Sequence, residues 1–98
     1  MKAEKRLIQL AKLKKDKGKE YGDSYKRHGA VMAGFFPHGI CLETADDFNR
    51  FAVYDLMVVK MVRYSVAFEN NRTSPDSLDD LSVYAAILQE LDSEKEGE

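Results

Sequence analysis

Two long helical patterns joined by only four polar residues constrain this 98-residue chain more than any other feature. From the capping signal at Thr44 to about Asn70 no proline or glycine intervenes, and Phe48, Phe51, Ala52, Val58, Val59 and Val62 recur on one helical face. Ser74-Pro75-Asp76 then has the form of a second helix start, with serine as N-cap, proline at the first helical position and an acid in the first turn. Beyond it, Leu78, Leu81, Ala85 and Leu88 make one apolar stripe, and Tyr84, Ile87 and Leu91 an adjacent one. A connection as short as Asn70–Thr73 makes the two helices antiparallel neighbours. The chain is predicted to be built on a helical hairpin.

The remaining segments follow the same logic. Thr44 with Asp47 three residues on resembles a capping box, with Leu42 before it, so Asp46 and Asp47 are assigned to the start of the long helix. Residues 2–19 read as a basic first helix in which Leu7, Ile8, Leu10, Ala11 and Leu13 form a narrow apolar face among lysines. Gly18–Gly29 reads as a loop, and Ala30–Phe36 as a short helix ending at Pro37. No period-two alternation of useful length occurs. The expected fold is all-α: a small antiparallel bundle of three to four helices in a single domain, 1–98, with an acidic tail at 92–98. At this length only roughly two thirds of the unfolded chain's surface can be buried. The core is thin, and a homo-oligomer, dimer or tetramer, is expected to complete it.

Composition removes several classes of function. No apolar run approaches the ~20 residues of a membrane span, and the N-terminal stretch lacks the continuous apolar segment of a signal peptide, so a cytoplasmic protein is expected. One cysteine, Cys41, allows no internal disulfide and is expected to be a small buried apolar residue. His28 and His38 have no ligand partner at metal spacing and read as structural. Net charge is −2 but lopsided: residues 1–28 carry ten Lys/Arg against four Asp/Glu, and residues 29–98 five against thirteen. A basic arm on an acidic body suits a solvated lysine face, nucleic acid through residues 1–28, a phosphate-bearing ligand, or the acidic face of a second subunit. The apolar side of the first helix lacks the large aromatics of a membrane-surface helix, so it is expected to pack on the rest of the domain.

Three carboxylates carry the chemical argument. Asp55 lies among Phe51, Ala52, Val58 and Val59 at the −4, −3, +3 and +4 positions, so it is expected to be substantially buried. A buried carboxylate needs a base, such as Lys60, Arg63 or one from the first helix, or else a metal or ligand. Asp76 and Asp80 stand one turn apart on one face of the last helix, where their mutual repulsion would be relieved by a cation. Dipole stabilisation accounts for Asp76 more readily than for Asp80. Lys60 and Arg63 on the preceding helix are candidate phosphate partners, as are Tyr21, Asp23, Lys26 and Arg27 in YGDSYKRHG.

SPDSLDDLSVYAAILQEL, LMVVKMVRY and YGDSYKRHG together resemble the last helix, the central helix and the YGD-containing loop of phage-encoded MazG-like families within the all-α nucleoside-triphosphate pyrophosphatases. The resemblance spans most of residues 15–91. It implies a helical oligomer that binds a nucleotide and hydrolyses its α–β phosphate bond with Mg²⁺, with Asp55 and Asp80 as catalytic residues, Asp55, Asp76 and Asp80 as metal ligands, and the Lys60, Arg63 and Tyr21–Arg27 groups on the nucleotide. The family's late Glu-x-x-Asp falls on Ser77 and Asp80, and its earlier Glu-x-x-Glu on Ala52 and Asp55, so one carboxylate of each pair is kept. A reduced set leaves a second expectation open: a catalytically inactive helical module that binds a protein or nucleic acid.

Overall fold

The computed structural model describes residues 2–21 and 24–97, with side chains for all of these outside 18–25. Four helices follow in order: α1 (Ala3–Tyr21), α2 (Ser24–Phe35), α3 (Ala45–Glu69) and α4 (Pro75–Lys95), with no strand among the described residues. The fold is all-α, and α3 and α4 form its hairpin.

Both ends of that hairpin are set locally. Thr44 accepts from the Asp47 N–H at 3.1 Å while the Asp47 carboxylate accepts from the Thr44 N–H at 3.1 Å, which closes a capping box despite the shorter acid. Asp47 also accepts from the Glu43 N–H, and these backbone bonds, Glu43 first, hold its carboxyl below the usual carboxylate range. At the other end Asn71 sits in the left-handed region at φ 55°, its N–H bonds to the Phe68 carbonyl, and the Arg72 N–H bonds to Ala67 at 2.8 Å. That is a Schellman stop with asparagine in the position glycine usually takes. Pro75 then starts α4, although the Ser74 hydroxyl pairs with the Ser77 hydroxyl at 2.6 Å rather than capping the helix.

Antiparallel register is visible in the ion pairs. Asp46 and Asp47 face Lys95, Arg50 faces Asp92 at 2.8 Å, and Lys60 faces Asp80 at 2.8 Å, one index falling as the other rises. The core is a short stripe of α3, Val58, Val62, Val66 and Ala67, closed by Ser77 of α4. Among the described residues no large side chain is fully buried. Helix α2 lies on α3 through Phe36, Phe51 and Tyr54, whose ring centroids are 5.5–6.2 Å apart, and through Arg27–Glu69 at 2.9 Å.

Four expectations are corrected here. Helix α2 begins at Ser24, not Ala30, so Tyr25–Gly29 is helical; a Cβ on Gly29 would meet nothing within 4 Å, so no close contact requires glycine there. Helix α1 does not bury its apolar face: every residue from 2 to 17 is exposed, and Ile8 keeps 72% of its surface. The Cα radius of gyration is accordingly 16.9 Å, against about 13 Å for a compact domain of this length. Cys41 lies exposed in the segment between α2 and α3, where its thiol donates to Glu43 at 3.2 Å and that bond pushes its pKa up. A thiol so held is a poor nucleophile. Asp55 is the fourth, described below.

Thr44→Ala is expected to cost about 1 kcal/mol of stability in denaturant melts at neutral pH. Because the Asp47 carboxyl is depressed in the fold, its contribution is complete above about pH 4, the ordinary aspartate range, and fades as pH falls through the lower folded value, so the penalty of Asp47→Ala shrinks in strong acid. At the other end of α3, Asn71→Gly should leave thermal stability unchanged or slightly raised, and Asn71→Val should lower it by roughly 1–2 kcal/mol, the cost of a β-branched residue at positive φ.

Candidate functional site

Lys60, Arg63 and Arg72 line one polar cavity of about 420 Å³ beside the α3–α4 turn, together with Thr73, Asp76 and Asp80. Its construction follows from the hairpin. Lys60 and Arg63 are almost one turn apart on α3 and so share a side. The Schellman stop swings Arg72 back over the end of α3, and the short turn delivers the first residues of α4 to the same spot. Asp76 and Asp80, one turn apart, complete the opposite wall.

Among the described residues that line it, the cavity carries three cations and two carboxylates, at a helix N-terminus whose dipole adds positive character. Lys60 is largely enclosed, its side chain 15% exposed, and its ammonium bonds Asp80 at 2.8 Å. Asp80 itself is half open to solvent. Lys60 therefore gives up its water for one carboxylate partner that is poorly held, an arrangement in which a stronger anion can compete.

Asp55 does not join this cavity. Its side chain is 40% exposed, and its Oδ1 lies 2.7 Å from Nε2 of His28 on α2. The base it meets comes from neither α3 nor the first helix but from the segment read as a loop, His28 of α2. The expectation of deep burial fails because apolar neighbours on its own helix cover an aspartate only where a second helix seals the stripe, and here Ala52 beside it stays exposed. Nδ1 of His28 is buried with no hydrogen-bond partner, so the pair is an imperfectly satisfied clasp between α2 and α3.

Of the other expected ligand contacts, Lys26 and Arg27 lie on α2, where Arg27 is engaged with Glu69, and neither lines the cavity. Tyr21 ends α1 with its side chain outside the described residues, and Asp23 lies outside them altogether. Among the described residues no three of His, Cys, Asp and Glu converge so as to hold a metal ion. The expected set of Asp55, Asp76 and Asp80 thus does not fit a preformed Mg²⁺ site: one carboxylate is committed to a histidine, one to a lysine, and Asp76 stands exposed at a helix start.

Two features escaped the sequence reading. Arg72 looked like one polar residue of a turn; only the left-handed Asn71 before it aims the chain back at Lys60 and Arg63. A second, more apolar cavity of about 320 Å³ is walled by Phe36, Phe51, Tyr54 and Leu88, with the Arg50–Asp92 pair at its edge. Phe51 and Tyr54, three residues apart, share a side of α3, but nothing local ties Phe36 to them.

Asp55→Asn is expected to loosen α2, lowering the urea midpoint by an amount equivalent to less than about 1 kcal/mol because the pair is partly solvated, and a double-mutant cycle with His28→Gln should assign that loss to the pair. No protein-family model matches this chain, and no curated protein and no solved structure is similar to it.

Proposed function

We propose that this chain binds a phosphate-bearing nucleotide in the cavity beside the α3–α4 turn. The observation that carries the reading is the meeting of Lys60, Arg63 and Arg72 around one polar cavity at a helix N-terminus. Arginine forks match phosphate oxygens two at a time, and the lysine supplies a compact charge. The cavity's size falls within the range of small-ligand sites. A phosphate oxygen taking the place of the Asp80 carboxylate on Lys60 gives the enclosed ammonium a more highly charged partner.

The MazG-like resemblance supports the same location, since four of the residues it assigns to ligand or metal, Lys60, Arg63, Asp76 and Asp80, line this cavity. It extends the proposal to Mg²⁺-dependent pyrophosphohydrolysis. Binding is favoured over hydrolysis, because Asp55 faces His28 and, among the described residues, two carboxylates line the cavity with the cations. A second reading, an interaction module that docks a protein or nucleic acid through α1, draws on the exposure of residues 3–17 of that basic helix. It requires salt-sensitive binding that is lost with residues 1–19. Homo-oligomerisation belongs to either reading, since four buried core residues of α3 are few for a free-standing domain.

A thermal melt against nucleoside triphosphates, with and without Mg²⁺, tests the proposal. A nucleotide that binds the native state raises the Tm with concentration. The shift should vanish at the same concentration in Lys60→Gln and in Arg63→Gln, with helical circular dichroism retained, while Asp80→Asn keeps or enlarges the shift without Mg²⁺. No shift with any nucleotide overturns nucleotide binding. If pyrophosphate is released, Asp80→Ala should abolish its release without unfolding the protein; undiminished release in that variant removes Asp80 from the chemistry.

A further inference from the structure

Two helix faces of this chain are left open and are complementary to each other. On α1, Ala3, Leu7, Leu10 and Ala11 make a stripe with Ile8 and Leu13 at its margins, and all of them are exposed. From Ala3 to Lys17 this helix carries six Lys/Arg against two Asp/Glu. On α4, Asp79, Val83, Ala86, Glu90 and Glu94 recur at +4, +7, +11 and +15, which places them on one side, and each is exposed, with Ile87 at the margin. Val83 keeps 57% of its surface in contact with water. One stripe is leucine flanked by lysine; the other is valine, alanine and isoleucine between acids.

We propose that two copies of this chain associate by laying α1 of each on the outward stripe of α4 of the other. The contact deepens the homo-oligomer of either functional reading but does not depend on what fills the cavity. The α1 stripe is about 15 Å long and the α4 stripe about 23 Å at 1.5 Å per residue, so the first can lie within the length of the second with its apolar side chains in the intervening grooves. Lysines and Arg6 then flank a track ending in Asp79 at one end and Glu90 and Glu94 at the other. Exchange in both directions gives a self-complementary, closed pair. It buries surface that the single chain cannot, since its own α1 packs only lightly along α3.

Other occupants fit less well. A lipid surface favours large aromatics at the apolar–polar boundary, and the helix has none between Ala3 and Lys17. A nucleic acid would use the lysines but leave the leucines wet and has no use for the α4 stripe. Only a second copy answers both faces at once.

Sedimentation velocity on the full chain across micromolar to millimolar concentrations is the test. Wild type is expected as a dimer, and Leu7→Glu/Leu10→Glu and Val83→Arg as monomers that keep their helical circular dichroism. To locate the contact, Leu10→Cys and Val83→Cys are made separately in a Cys41→Ser background and mixed under mild oxidation; a disulfide joining the two different chains is expected in the mixture. A wild-type monomer throughout, a dimer indifferent to all of these substitutions, or a mixture that forms no such crosslink would each overturn the proposal. So would a wild-type monomer whose α1 instead binds anionic vesicles or duplex DNA, which would assign the face to that partner. A nucleotide-induced Tm shift retained by the monomeric Val83→Arg chain separates this result from the cavity reading.

Discussion

The antiparallel register of α3 against α4 is the constraint on which the rest of this structure depends. It rests on two kinds of contact with different work to do. Val58, Val62 and Val66, one helical turn apart, supply the apolar seam, and their burial drives the association of the helices. The three ion-paired rungs, Asp46/Asp47 with Lys95, Arg50 with Asp92 and Lys60 with Asp80, add little energy because they are partly solvated, but a slide of one turn would break them all. The seam holds the helices together; the charges fix where each residue stands.

That register creates the cavity. Lys60 is drawn to Asp80 because the hairpin sets them opposite, and the same hairpin places the α4 start beside Arg63. A cationic cluster on one helix would ordinarily stay in water; here the turn curls over it and encloses its lysine. Asp55, five residues earlier on α3, belongs to a different contact, the one that docks α2 through His28. Two carboxylates that look equivalent along the chain thus serve different neighbours, one securing the fold and the other standing beside the candidate ligand.

The thin core and the extended α1 are two sides of one shortage. A chain of this length has few large apolar residues to bury, and here they are spread over four helices instead of gathered on one seam. Leu7, Ile8, Phe48, Phe68 and Val83 all remain more than half exposed. The proposed contact between two copies would cover part of that surface, with acidic α4 and basic α1 lying within one sequence.

The sequence by itself determined the helical hairpin, its capping box and its stop, because each depends on side chains and backbone groups within a few positions of one another. Thr44 and Asp47, or Asn71 and the carbonyls behind it, need nothing distant to act. It also placed Lys60, Arg63, Asp76 and Asp80 among the residues of interest, since helical spacing alone puts each pair on a common side. Tertiary structure decided the rest. That Asp55 meets His28, that Arg72 lines one cavity with Lys60, that Phe36 joins Phe51 and Tyr54, and that residues 3–17 of α1 stay exposed are matters of which surfaces meet across 12 or more residues of chain. An apolar stripe states that a face can be buried. Whether anything covers it is settled by the path of the chain between the helices, and that path is not encoded in local periodicity.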